Sequence, residues 1–187
     1  EIRYNRLAMK NILFCGKIYK RVVSKMKIAL CDDDEYFLSK LKELMSKCYI
    51  DETKCDFYEF KSGEEFLSNY EAKKYDVIVL DVEMKALSGL DVAKQIRNFD
   101  NTVIIAFLTR HQEFAILGYE VNAFRYILKG QPEELYIRQF TSIFNEYKQT
   151  HITFPVQTKT ALYNIAISDI QYFEVFKRMI VVHTATN

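Results

Sequence analysis

Residues 75–89 read YDVIVLDVEMKALSG. The aliphatic run DVIVL, at 76–80, stops on the carboxylate of Asp81, and a loop follows. A short continuous apolar run of this kind predicts a strand covered on both faces. A carboxylate at the end of such a strand is costly to desolvate without a partner. Fold and chemistry therefore both turn on what the rest of the chain brings to Asp81.

Outward from this stretch the pattern recurs. MKIAL (26–30), CDFYEF (55–60), TVIIAFL (102–108) and AFRYIL (123–128) read as further strands. Helical patterns follow each strand. Phe37, Leu38, Leu41, Leu44, Met45 and Cys48 repeat at helical spacing, and Asp34 and Glu35 suit that helix's first turn. Ser62 stands three residues before Glu65, a capping box that opens a second helix. Leu90, Val92, Ala93 and Ile96 mark a third helix and a stretch around 112–118 a fourth. Pro132, tolerated in a first turn, opens a fifth that runs to about Lys148. Strict strand–helix alternation predicts an α/β fold with a parallel sheet and helices on both faces. Such sheets bind ligands beyond the carboxyl ends of their strands, at the point where strand order reverses; in the flavodoxin-like order 2-1-3-4-5 that point lies between strands 1 and 3.

Asp32 and Asp33 follow the first strand, Asp81 the third, Thr109 the fourth and Lys129 the fifth. Carboxylates gathered this way repel one another unless a cation joins them. Hard oxygen ligands without imidazole or thiolate suit Mg²⁺. His111, His151 and His183 are widely spaced and make no ligand pair. With Lys129 as a second positive charge and Thr109 as a hydroxyl donor, the set fits a phosphoryl group, with Asp81 as its nucleophile. Singly, each residue has an ordinary use, since an acid after a strand is often a helix cap or loop acid. Asp32-x-Asp34, Thr109 and Lys129 also mimic a haloacid-dehalogenase-type phosphatase. That reading needs a further acid pair after a later strand. Glu133 and Glu134, inside the last helix, do not fit, and Asp81 is left unexplained.

ALCDDD, VIVLDVEM with LSG, FLT and YILKG, in this order and spacing, resemble the receiver domain of two-component response regulators over about residues 26–147. The resemblance implies that Asp81 accepts a phosphoryl group from the phosphohistidine of a sensor histidine kinase. It implies that Asp33, Asp81 and the backbone carbonyl of Glu83 hold Mg²⁺, with Asp32 helping through water. Lys129 would pair with the phosphoryl group, Thr109 would move to bond it, and Tyr126 would reorient alongside. A homodimer would form through about 112–147. Such a domain is a phospho-accepting regulator and not an enzyme acting on other substrates. Three positions depart from the family's pattern. Gly130 follows Lys129 where proline is usual, which predicts a trans bond and a less fixed lysine. Arg110 follows Thr109 where a small residue is common, and Lys85 stands where proline is frequent.

Beyond about residue 148 the composition turns β-branched and aromatic, which predicts a linker and a partial all-β unit. YNIAISDIQYFEVFKRMIVVHT resembles the opening of a LytTR-type DNA-binding domain, cut short. Lys177 and Arg178, in a turn after the YFE segment, are then candidate DNA contacts, with a solvated hairpin turn as the alternative. Promoter DNA is the implied partner if that domain is complete; an interaction module without a DNA role is the competing reading.

The 187 residues are 49% hydrophobic and 27% charged, with a formal net charge of +1. Residues 1–25 carry seven Lys/Arg against Glu1 alone, so the body is mildly acidic and offers no broad basic surface. That segment reads as a basic extension foreign to the body, with MKIALCDDD at Met26 resembling a natural start. Cys15, Cys31, Cys48 and Cys55 form no CxxC pair, which suits reduced thiols in the cytoplasm. No apolar run approaches the roughly 18 residues that suggest a membrane span.

Overall fold

The computed structural model describes residues 25–48, 55–150, 153–157, 162–176 and 179–184. Most of the basic N-terminal segment, and both Lys177 and Arg178, lie outside the described residues. The chain divides into two units, Ser24–Thr150 and the strands beyond 151.

The first unit alternates strand and helix. Its elements are β1 (Met26–Cys31), α1 (Glu35–Lys47), β2 (Cys55–Phe60), α2 (Gly63–Ser68), β3 (Val77–Leu80), α3 (Gly89–Arg97), β4 (Ile104–Thr109), a 3₁₀ helix (Gln112–Val121), β5 (Arg125–Leu128) and α4 (Glu133–Thr150). The five strands form one parallel sheet in the order β2-β1-β3-β4-β5, the order the sequence predicts. All of β3 and β4 is buried, so their unbroken aliphatic runs reflect cover on both faces. β2, at the edge, is largely half-buried or exposed, and its sequence mixes acids with aromatics.

Side-chain caps set where helices begin. Asp34 accepts from the Tyr36 N–H, Ser62 from the Glu65 N–H, and Ser88 from the Asp91 N–H. Each satisfies a backbone donor that the helix leaves unpaired. Glu65 reaches back to the Lys61 N–H at 2.8 Å, one residue upstream of a standard capping box.

The element after β4 differs from the α-helix expected near 112–118. Gly118 and Val121 are buried, whereas Glu113, Ile116 and Tyr119 are exposed. The element is instead a 3₁₀ helix, at a length unusual for such helices. Asn122 ends it in the left-handed region, with φ 48°. Arg97, at the end of α3, donates Nε to the Val121 carbonyl at 2.7 Å and Nη1 to the Asp100 and Val103 carbonyls at 3.0 Å. One guanidinium thus ties the end of the 3₁₀ helix to α3 and to the approach to β4.

In the second unit, β6 (Thr153–Gln157) pairs antiparallel with β7 (Leu162–Ala166), and β8 (Ile170–Phe176) with β9 (Met179–Thr184). Phe154 meets Phe173 edge-on at 5.2 Å, linking the two pairs. Among the described residues no helix is long and apolar enough to cross a membrane.

Asp100 organises the turn into β4. Its carboxylate accepts from the Tyr70 hydroxyl, the N–H groups of Lys73, Thr102 and Val103, and the Thr102 hydroxyl. Burial alone would raise its pKa, but the Thr102 hydroxyl and those N–H donors outweigh it and hold the group at about 2. A depressed carboxylate stabilises the fold above its unfolded pKa, and that contribution fades as pH falls through about 2. Asp100→Ala is expected to cost about 2–3 kcal/mol at neutral pH by stranding buried donors. Its penalty should shrink as acid protonates the wild-type group. Denaturant unfolding at neutral and acid pH checks both statements, and an equal penalty at the two would contradict them.

Candidate functional site

Strand register builds the site. Cys31 lies opposite Leu80, so the next residues, Asp32 and Asp81, emerge side by side at the sheet's carboxyl edge. The Asp81 N–H donates to the Cys31 carbonyl at 2.8 Å and fixes that alignment. Thr109 lies opposite Leu128, and the Lys129 N–H donates to the Thr109 carbonyl at 2.7 Å, which aims the lysine across the same rim.

The lysine ends between two acids. Lys129 Nζ is 2.6 Å from Asp81 Oδ2 and 2.7 Å from Asp32 Oδ2, and its side chain is only 5% exposed. The expectation of a less fixed lysine is therefore corrected. Gly130 adopts φ 86° in place of the proline's rigidity, and its N–H is held by the Tyr136 hydroxyl at 2.8 Å. Only glycine takes that backbone conformation without strain.

Asp32 and Asp81 are buried and Asp33 is exposed. Burial pushes the Asp32 and Asp81 carboxyls above their ordinary range, and the Lys129 ammonium opposes that shift without cancelling it. The Asp34 N–H donates to Asp32 Oδ1 at 3.0 Å and the Glu83 N–H to Asp81 Oδ1 at 3.3 Å. Among the described residues, buried Asp32 Oδ2 has no partner at hydrogen-bonding angle, and the charge of Lys129 at 2.7 Å compensates it. Oxygens of Asp32, Asp33 and Asp81 lie within 4.8 Å of one another. An all-oxygen set containing an under-satisfied buried carboxylate fits a small hard divalent cation. Lys85, where the family favours proline, brings its ammonium to 3.9 Å from Asp33 at the exposed side.

Thr109 is fully buried, and its hydroxyl accepts from the His111 N–H at 3.3 Å. Tyr126 is half-buried against Phe107, and its hydroxyl donates to the His111 carbonyl. Both candidate switch residues thus converge on the segment after β4. Glu83 carries its side chain away from the carboxylates, onto His111 Nε2 at 2.8 Å. Asp34 is a helix cap, so the Asp32-x-Asp34 pair of the phosphatase reading is not assembled.

Sequence reasoning missed Gly89, Phe37 and His111. A Cβ on Gly89 would sit 2.0 Å from the Asp81 backbone carbonyl, so the residue is small to let α3 start against the acid's own backbone. The signal was the SG pair closing the stretch 75–89. Phe37 covers Lys129, its ring centroid 4.4 Å from Nζ. Its place in the helical hydrophobic pattern concealed that contact.

A family model for the response regulator receiver domain matches residues 28–139, and the chain belongs to that family. It is a two-component response regulator receiver with relatives of the LytT and LytR type. It is 33% identical over 92 residues to the sensory transduction protein LytT of Oceanobacillus iheyensis, covering 48% of this chain and 36% of that protein. It is 31% identical over 109 residues to LytR of Staphylococcus epidermidis, covering 58% and 42% respectively. The chain thus spans about half or less of the length of these relatives. Among solved structures, the response regulatory domain of protein mrkE from Klebsiella pneumoniae superposes with a TM-score of 0.57 at 26% identity, covering 66% of this chain and 99% of that one.

A ligand bound only by the folded state raises thermal stability. Millimolar Mg²⁺ is therefore expected to raise the Tm of the wild type. Asp33→Asn should abolish the rise, and Gly89→Ala should reduce it by displacing Asp81. Thermal melts with and without the ion check this; equal rises in all three proteins would contradict the shared site.

Proposed function

We propose that Asp81 is a phosphoryl acceptor and that the chain acts as the input switch of a LytTR-type transcriptional regulator. The observation that carries this is the buried Lys129 ammonium lying within 2.7 Å of both Asp32 and Asp81. A cation fixed against a strand-end carboxylate favours its ionised form and stands ready to pair with a phosphoryl oxygen. The donor is the phosphohistidine of a sensor histidine kinase. An Asp81 oxygen attacks phosphorus, the nitrogen–phosphorus bond breaks, and the imidazole nitrogen keeps that electron pair and takes up a proton. Asp33, Asp81 and the Glu83 backbone carbonyl would hold Mg²⁺, with Asp32 acting through water. The ion would supply positive charge for the transferring oxygens.

Thr109 and Tyr126 form the readout. The Thr109 hydroxyl turns to the phosphoryl group, Tyr126 follows, and the segment beginning at His111 shifts, since both residues bond to its backbone. A local charge event thereby biases a two-state element. The face of the 3₁₀ helix, β5 and α4, about 112–147, exposes Ile116 and Tyr119 and serves as the homodimer surface. Residues 26–147 form the receiver, and the strands after 148 begin the DNA-binding part, with Lys177 and Arg178 as phosphate contacts on promoter DNA. The free thiols of Cys31 and Cys48 suit a cytoplasmic protein.

Incubation with acetyl phosphate and Mg²⁺ should label the protein once, at Asp81, as read by intact mass and peptide mapping. Asp81→Asn should abolish labelling, and chelation of the ion should prevent it. Sustained phosphate release that survives Asp81→Asn would favour the phosphatase reading and overturn this one.

A further inference from the structure

Two cations share one ring at the mouth of the site. Lys129 Nζ lies 4.4 Å from the Phe37 ring centroid, and Arg110 Cζ lies 5.6 Å from it. Both are within cation–π range. Lys129 is already committed to Asp32 and Asp81. Arg110 is not: it is exposed, it directly follows Thr109 at the end of β4, and among the described residues it makes no ion pair. The Phe37 ring that covers the lysine also lies under this guanidinium.

Charge counting gives this spare cation a task. With a divalent ion bound, Asp32, Asp33 and Asp81 balance that ion and Lys129. A phosphoryl group on Asp81 replaces one carboxylate charge by a phosphate charge of about −1.5 to −2 at neutral pH. Lys85, 3.9 Å from Asp33, is a further ammonium at this rim, but it is 90% exposed and screened by water, so the phosphorylated site is short of buried positive charge. The acid beneath it is only 7% exposed, where water screens poorly.

We propose that Arg110 is the counter-charge of the phosphorylated state. Its guanidinium rests on Phe37 in the unphosphorylated protein and turns onto phosphoryl oxygens when Asp81 carries the group. Phe37 is a positioning residue that keeps it at the mouth. A guanidinium fork matches phosphate oxygens in geometry as well as charge. The position after Thr109 thus carries a side chain that selects for the phosphorylated form and leaves the resting metal site in balance. This inference rests on the phosphoacceptor reading above.

The test uses beryllium trifluoride, a phosphoryl mimic, titrated into the full chain with Mg²⁺ and followed by fluorine NMR. Arg110→Ala is expected to weaken trifluoroberyllate binding about tenfold, the size of a charge-assisted hydrogen bond. Arg110→Lys should recover part of the loss. Phe37→Leu should weaken binding and Phe37→Tyr should not, since only the second keeps the π face. Binding of Mg²⁺ alone should be unchanged by Arg110→Ala, which a merely structural role would not predict. Wild-type affinity in Arg110→Ala overturns the assignment, as does an equal loss of Mg²⁺ affinity. Failure of the folded wild type to bind the mimic at all would instead bring down the phosphoacceptor reading, and this inference with it.

Discussion

A buried ammonium between two buried carboxylates is the interaction on which the rest of the molecule depends. Lys129 reaches Asp32 and Asp81 across the ends of β5, β1 and β3. Two such acids side by side in a low-dielectric rim could not both stay ionised without it. The lysine offsets only part of the burial, because both acids still sit above the ordinary carboxylate range. The rim therefore retains an appetite for more positive charge. That deficit suits the rim to a hard divalent cation.

Every element around the rim can be seen as holding this arrangement. Parallel register aligns Asp32 with Asp81, and the absence of a side chain at Gly89 lets α3 begin against the acid's backbone. Gly130 and the Tyr136 hydroxyl place the lysine. Beyond β4, the His111 backbone is bonded to both Thr109 and Tyr126, while the far end of the 3₁₀ helix is anchored by Arg97. A segment held at one end by the site and at the other by α3 is suited to carry a local change outward. Its 3₁₀ geometry, with poorer hydrogen bonds than an α-helix, suits it to rearrangement.

Much of this was legible in the chain itself. Unbroken aliphatic runs at 76–80 and 102–108 gave the buried parallel strands, and their terminal polar residues gave Asp81 and Thr109. Strand order placed Asp32, Asp33 and Lys129 at the same rim. Other features depend on tertiary contacts that periodicity does not encode. The 3₁₀ helix at 112–121 is one: exposure at 112, 113, 116, 119 and 120 has ordinary helical spacing, so the pattern does not distinguish it from an α-helix. Phe37 looked like one more apolar residue of α1, although its ring faces the cations that directly follow β4 and β5. The proline missing after Lys129 suggested a looser lysine. Two carboxylates and a tyrosine hydroxyl on the neighbouring glycine do that work instead.

The central claim is that acids from β1 and β3 share one divalent ion beside Lys129. A crystal soaked in Mn²⁺ and measured at the manganese absorption edge tests it most directly. The account predicts a single anomalous peak in contact with carboxylate oxygens of Asp33 and Asp81. A rim without a peak, or a peak bound by one of these acids while the other points away, would contradict it.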